Sequence, residues 1–117
     1  MGRFSGQCAV ITGGNRGIGY AIAKRFVSEG ANVVISSVED QVIEAATALG
    51  DTAKSFVCNV ADRGQVVELY HYAKAEFGGV DVSVQNAGII TIAKVENLTE
   101  SEWDNTMEVN TKGVFLC

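Results

Sequence analysis

A glycine-rich segment at the end of the first apolar run constrains this chain more than any other part of its sequence. The segment reads Thr-Gly-Gly-Asn-Arg-Gly-Ile-Gly over residues 12–19 and overlaps the end of an apolar run at 8–12. Glycines at a strand-to-helix junction permit a tight turn and a close approach to a pyrophosphate, which the helix N-terminus stabilises. The spacing G-x-x-x-G-x-G is neither G-x-G-x-x-G nor a P-loop, and a glycine-rich turn without any ligand remains the alternative for this segment alone.

Apolar runs of strand length alternate with apolar stripes of helical spacing along the chain. The runs at 8–12, 33–35, 55–58 and 82–84 predict four strands, as in a sheet buried on both faces. The stripes at 17–29, 39–49 and 62–77 predict helices, and Asp62 is the predicted N-cap of the third. Thr99 and Glu102 form a capping-box pattern that opens a fourth helix.

This alternation predicts an α/β fold, a Rossmann-type doubly wound parallel sheet with about four strands present and its C-terminal part missing. On the fourth helix, we expect Trp103 and Met107 to pack on the sheet, because they lie four residues apart. On the second helix, we expect the inner face to carry Val42, Ile43, Ala46 and Leu49.

Composition excludes several classes of function. The 117 residues carry 9 basic and 14 acidic side chains, and the net charge of −5 argues against nucleic-acid and anionic-membrane partners. No stretch of 18 uninterrupted apolar residues is present, so we expect no transmembrane helix. The three cysteines are widely spaced, which predicts reduced thiols, no metal site and a cytoplasmic protein.

The end of the chain is apolar, from Val114 to Cys117, whereas natural termini are usually polar and exposed. We therefore expect residues 1–117 to form a single incomplete domain, with further sequence after Cys117.

The spacing of the glycine segment, with Gly13, Gly17 and Gly19, resembles the cofactor motif of the short-chain dehydrogenases/reductases. The resemblance extends over the whole chain. Residues 86–88, Asn-Ala-Gly after the fourth predicted strand, resemble the N-A-G motif of that family. Asn110 resembles the asparagine that joins its catalytic group. Residues 59–60, Asn-Val, stand where the family usually has Asp-Val near the adenine, and a simple strand-end turn is the alternative for Asn59.

The resemblance implies an NAD(P)-binding domain of an oxidoreductase that acts on a small carbonyl or alcohol substrate. It implies Asn110 as a catalytic residue, and these cofactor-binding residues: Gly13, Asn15, Arg16, Gly17, Ile18, Gly19, Ser37, Asn59, Val60, Asn86, Ala87 and Gly88. The family's catalytic serine and Tyr-x-x-x-Lys pair lie beyond the region that matches Asn110. Two Tyr-x-x-x-Lys pairs inside the chain, at 20–24 and 70–74, are expected to be structural.

The choice of cofactor is expected to depend on residues near the end of the second strand. Ser37 stands where the NAD-preferring members of the family carry aspartate, and Arg16 offers a partner for a 2′-phosphate, which favours NADP. Glu39 and Asp40 would repel that phosphate, which leaves NAD as the alternative.

The stretch from 85 to 110 resembles polyol, diol or acetoin dehydrogenases most, and 3-oxoacyl carrier reductases next. The family also implies a homo-oligomer, a dimer or tetramer, for a full-length form. A second hypothesis belongs to another class: the chain is a truncated, non-catalytic dinucleotide-binding or interaction fragment.

Overall fold

The secondary structure follows the predicted alternation of strand and helix. The structure is a computed structural model and describes residues 2–117. The strands are β1 Cys8–Thr12, β2 Asn32–Ser37, β3 Ala53–Val57 and β4 Val82–Val84. The helices are α1 Gly17–Ser28, α2 Gln41–Leu49, α3 Arg63–Phe77, α4 Glu100–Met107 and α5 Gly113–Leu116, with a 3-10 turn at Val95–Asn97 and a π-helical turn at Glu108–Lys112.

The four strands form one parallel sheet in the order β3-β2-β1-β4. The chain first winds outward from β1 to β3 and then returns to place β4 on the other side of β1. This reversal creates a crevice beyond the carboxyl ends of β1 and β4, where open α/β sheets bind their ligands. The predicted doubly wound parallel sheet with about four strands is thereby confirmed.

Apolar side chains of β1 and β2 alternate between two hydrophobic clusters, one on each face of the sheet. On one face, Ile11 and Ile35 pack with Ala23 of α1 and Val42 of α2. On the other face, the cluster belongs to α3 and contains Cys8, Val10, Val34, Cys58, Val66, Leu69 and Ala73. Burial on both sides explains why these strands read as continuous apolar runs rather than as alternating ones.

Strand β2 extends two residues beyond its predicted end, to Ser37, because its backbone continues to pair on both sides. Ser36 is in register with Thr12 of β1, and Ser37 with Val57 of β3. Both serines are buried. Because both residues are polar, the hydrophobic pattern predicts that the strand ends too early, at residue 35.

The ends of α3 are formed as the sequence predicts. The Asp62 carboxylate accepts a hydrogen bond from the backbone N–H of Gln65 at 3.3 Å, which caps the first turn. Gly78 ends the helix in the left-handed conformation, with φ of 85°, which glycine adopts without strain.

Two predictions about helix faces are wrong. Ile43 is 55% exposed, because α2 rests on the sheet through Val42 and Ala46, and Ile43 lies to the side of that line. Trp103 and Met107 are 56% and 40% exposed. They do not pack on the sheet, because the main contacts of α4 within residues 2–117 are with the π-helical turn that follows it.

None of the helices within residues 2–117 is both long enough and apolar enough to cross a membrane.

A matched pair of substitutions tests the two-sided core. Ile35→Val removes a methylene from a fully buried site, so we expect the free energy of unfolding to fall by about 0.5–1.5 kcal/mol. Ile43→Val makes the same change at an exposed site and is expected to change it by less than about 0.5 kcal/mol. Urea unfolding followed by circular dichroism measures both, and equal losses would contradict the assigned faces of β2 and α2.

Candidate cofactor site

A cavity of about 390 Å³ lies in the crevice at the carboxyl ends of the strands. Its walls come from the glycine segment after β1 and from the residues that follow β2, β3 and β4. The predicted cofactor-binding residues line it, except Gly19: they are Gly13, Asn15, Arg16, Gly17, Ile18, Ser37, Asn59, Val60, Asn86, Ala87 and Gly88. The topology therefore brings separate parts of the sequence to one site.

The glycine segment is a tight turn that requires glycine at particular positions. Gly13 and Gly17 have φ angles of 65° and 59°, which residues with a Cβ rarely adopt. A side chain on Gly19 would collide with the carbonyl oxygen of Gly13 and with the Asn86 side chain. Gly19 thus contributes by allowing α1 to approach β1 and β4, although it does not line the cavity.

The N-terminus of α1 faces the cavity through Gly17 and Ile18. Arg16 is the N-cap residue, and its side chain makes no capping hydrogen bond. The first N–H groups of a helix have no intrahelical partner, and the helix dipole makes this end favourable for an anion. Ile18 is 75% exposed, although the helical pattern placed it in the apolar stripe of α1.

Two buried polar atoms at the cavity have no hydrogen-bond partner within residues 2–117. They are Nδ2 of Asn15 and Oγ of Ser36. A buried polar group without a partner costs about 1–3 kcal/mol. Hydroxyl and phosphate oxygens of a dinucleotide would supply the missing partners, so these residues fit such a ligand.

The Thr12 hydroxyl joins the glycine segment to the residues after β4. Its oxygen accepts hydrogen bonds from the backbone N–H groups of Asn86 and Ala87, both at 3.0 Å. The Asn86 amide returns the connection by donating to the carbonyl oxygens of Thr12 and Gly13, both at 3.2 Å. The Asn86 side chain therefore holds the glycine segment and the loop after β4 together.

Asn110 is bound to the backbone of Ile89 by both polar atoms of its side chain. Oδ1 accepts from the N–H of Ile89 and Nδ2 donates to its carbonyl oxygen, each at 2.8 Å. Asn110 lies in a π-helical turn at 108–112, a kind of turn often found at functional sites. Asn110 fixes the segment that follows Gly88 and does not itself line the cavity.

Asn59 forms the strand-end turn that its position allows. Its Oδ1 accepts from the N–H of Ala61 at 3.0 Å, and its carbonyl accepts from Asp62 at the same distance. The side chain nevertheless lines the cavity beside Val60, which is 6% exposed. The turn and the contact with a ligand are thus compatible.

Neither of the two Tyr-x-x-x-Lys pairs lines the cavity. The Tyr70 hydroxyl forms a hydrogen bond with Ser83 Oγ of β4 at 2.5 Å, and burial raises its pKa. Tyr20 lies on α1, away from the cavity walls.

At the edge of the cavity, an ion pair joins the glycine segment to the residues that follow β2. Nη2 of Arg16 lies 3.3 Å from Oε1 of Glu39, and both residues line the cavity. The backbone N–H of Glu39 donates to Ser37 Oγ at 3.2 Å.

Several cavity residues were not selected from the sequence: Ser36, Val38, Cys58, Ile89 and Val109. Most of them follow the carboxyl end of a strand, which is the signal that could have found them. Burial, with a smaller contribution from Cys117, raises the pKa of the Cys58 thiol to about 11. That thiol is therefore protonated and unreactive near neutral pH.

The fold is a parallel α/β domain with a cavity at its topological switch point, and comparison with known proteins identifies its family. The family model described as "short chain dehydrogenase" matches residues 7–117, so the chain belongs to the short-chain dehydrogenase family.

Named relatives and a solved structure agree with this. The chain is 35% identical to galactitol 2-dehydrogenase of Agrobacterium fabrum, with 95% of this chain and 44% of the relative covered. It is 36% identical to D-threitol dehydrogenase of Mycolicibacterium smegmatis, with 97% and 45% covered. The crystal structure of 3-ketoacyl-(acyl-carrier-protein) reductase from Brucella melitensis complexed with NADH superposes with a TM-score of 0.93 at 34% identity, with 97% and 47% covered. The chain spans about half the length of these proteins.

A pair of alanine substitutions tests the close packing at Gly19. Gly19→Ala adds a Cβ against Gly13 and Asn86, and we expect it to lower the free energy of unfolding by about 1–3 kcal/mol. Gly64→Ala is the control, because it lies in the first turn of α3 and its Cβ would meet only Asp62 Oδ1 at 3.4 Å. We expect no loss there, since alanine favours a helix. A Gly19→Ala chain as stable as Gly64→Ala in urea would contradict the packing.

The raised pKa of Cys58 predicts a loss of stability in alkali. The folded chain holds this proton up to about pH 11, whereas the unfolded chain releases it near the ordinary value of 9.0. The contribution of the protonated thiol to the free energy of unfolding is complete below pH 9.0 and is lost as pH rises toward 11. We expect the free energy of unfolding, measured by urea titration between these values, to fall less steeply in Cys58→Ala. Equal slopes in the two proteins would contradict the assignment.

Proposed function

We propose that this chain is the cofactor-binding part of an NAD(P)-dependent oxidoreductase that transfers a hydride between a nicotinamide cofactor and a carbonyl or alcohol substrate. One observation carries the proposal: a glycine turn, a helix N-terminus and the unpartnered Asn15 and Ser36 atoms surround a single cavity at the topological switch point. Each of these features suits a phosphate or hydroxyl group of a dinucleotide.

The residues of the chain divide the binding of such a cofactor between them. Gly13, Gly17 and Ile18 would hold the pyrophosphate at the N-terminus of α1. Ser37, Asn59 and Val60 surround the adenosine end of the cavity. Asn86, Ala87 and Gly88 line the wall after β4 on the nicotinamide side. The cofactor, when bound, supplies the hydride.

The role of Asn110 follows from its contacts. Its side chain engages both backbone polar atoms of Ile89, so it holds the segment after Gly88 in place. We propose that Asn110 serves catalysis in this way, by positioning the wall on which the nicotinamide would lie. Neither Tyr-x-x-x-Lys pair within residues 2–117 lines the cavity, so we propose that neither pair is catalytic.

The proposed substrate class is a polyol, a diol or an acetoin-like compound, with a 3-oxoacyl carrier as the second choice. The names of two relatives, a galactitol and a D-threitol dehydrogenase, support the first, and the structural match to a 3-ketoacyl carrier reductase supports the second. We further propose a cytoplasmic homo-oligomer for the full-length protein.

For the cofactor, we propose NADP in preference to NAD. Ser37 provides no carboxylate for a ribose hydroxyl, and Arg16 lines the same cavity with a positive charge suited to a 2′-phosphate. Glu39 limits this preference, because its carboxylate is paired with Arg16.

The competing function is a non-catalytic dinucleotide-binding or interaction fragment. It is supported by the lining of the cavity, which includes neither Tyr-x-x-x-Lys pair. The enzyme and a dinucleotide-binding fragment both require nucleotide binding, and they differ in turnover.

Ligand binding and intact mass together test these functions. We expect NADPH and NADH to stabilise the chain, by about 2.7 kcal/mol at a concentration one hundred times Kd, in urea unfolding. Failure of both to stabilise it would refute dinucleotide binding. Oxidation of NAD(P)H with ketone substrates, by material about twice the 12.4 kDa of this chain, would support the enzyme over the fragment. Binding without oxidation by material of 12.4 kDa would support the fragment.

A further inference from the structure

The ion pair between Arg16 and Glu39 lies at the adenosine end of the cavity, beside Ser37. The two charged groups are 3.3 Å apart, and their side chains are 71% and 43% exposed. Among the residues that line the cavity, Arg16 is the basic one and Glu39 the acidic one. Any group bound at this edge of the cavity therefore meets both charges.

We propose that Glu39 weakens the binding of an NADP-type nucleotide relative to an NAD-type one, by pairing with Arg16 and so competing with the 2′-phosphate for it. A nucleotide with a 2′-phosphate must compete with the Glu39 carboxylate for Arg16, whereas one with a free 2′-hydroxyl has no such competition. Glu39 thus narrows the difference in affinity between NADP and NAD. This inference rests on the proposed function, because it concerns the same cavity and its cofactor.

The backbone on both sides of Glu39 is held in place. Its N–H donates to Ser37 Oγ at 3.2 Å, and its carbonyl accepts from the N–H of Val42 at 3.2 Å, in the first turn of α2. Ser37 is buried at the end of β2 and is 9% exposed. These two hydrogen bonds hold the main chain from which the Glu39 carboxylate reaches Arg16.

The Arg16–Glu39 ion pair is expected to affect the choice between nucleotides with and without a 2′-phosphate more than it affects the stability of the fold. An exposed ion pair adds little to folding, about 0–1 kcal/mol, because water and salt screen it. A phosphate monoester carries a charge of about −1.5 to −2 at neutral pH. Against that charge the Arg16–Glu39 pair is neutral, whereas Arg16 alone would be attractive.

Asp40 provides a matched control. It carries the same charge one residue further along, is exposed, and does not line the cavity. Glu39→Gln and Asp40→Asn therefore change the net charge of the chain equally, and only the first releases Arg16.

Two nucleotides that differ only in the 2′-phosphate isolate the effect, adenosine 2′,5′-bisphosphate and 5′-AMP. Their dissociation constants are measured by equilibrium dialysis for the unaltered chain and each variant. We expect the ratio Kd(AMP)/Kd(bisphosphate) to rise about tenfold in Glu39→Gln and less than about twofold in Asp40→Asn. Arg16→Gln is expected to lower the ratio, and Glu39→Gln is expected to change it little in that background.

Circular dichroism of each variant confirms folding, and Glu39→Ala is measured as a second neutral variant. If Glu39→Gln and Glu39→Ala raise the ratio no more than Asp40→Asn does, the role of Glu39 is refuted while nucleotide binding stands. An undiminished rise in the Arg16→Gln background would also refute it, because the effect would not pass through Arg16. Absence of binding of either nucleotide to the unaltered chain would instead refute the proposed function, and this inference with it.

Discussion

The hydrogen bonds between Thr12 and the segment 86–87 are the interaction on which the site depends. Strands β1 and β4 are adjacent in the sheet but separated by most of the chain, and their carboxyl ends must be aligned for a cavity to exist between them. The Thr12 hydroxyl accepts two backbone N–H groups, and Asn86 binds back to the carbonyls of Thr12 and Gly13. This reciprocal pairing joins the glycine segment to the residues after β4.

That alignment sets strict limits on the backbone around it. Asn86 can reach the carbonyl of Gly13 because Gly19 has no side chain to separate them. The same close approach brings the N-terminus of α1 to the floor of the cavity, where its free N–H groups and dipole favour an anion. Asn110 extends the arrangement by holding Ile89, so the wall after β4 is fixed at both ends. The glycine segment, Asn86 and Asn110 thus together fix the two loops that line the cavity after β1 and β4.

The sequence predicts the parts of this structure that depend on local patterns. Strand and helix alternation, the Asp62 cap and the glycine turn follow from hydrophobic period and residue chemistry, and all are found. Ile43 and Trp103 were misplaced because a stripe of apolar residues shows which residues could face a core, whereas packing decides which do. The buried Ser36 was missed for the opposite reason, since polar residues at a strand end resemble the start of a loop.

The balance of charge at the adenosine end depends on three-dimensional placement, which the sequence leaves open. Reading residues 16, 39 and 40 as charges predicts one attraction and two repulsions for a 2′-phosphate. In the structure Asp40 lies outside the cavity, while Glu39 reaches Arg16 across 23 residues of sequence because β2 runs parallel to β1 and both loops emerge on the same edge. The structure thus separates two acidic residues that are adjacent in sequence, since Glu39 pairs with Arg16 and Asp40 lies outside the cavity.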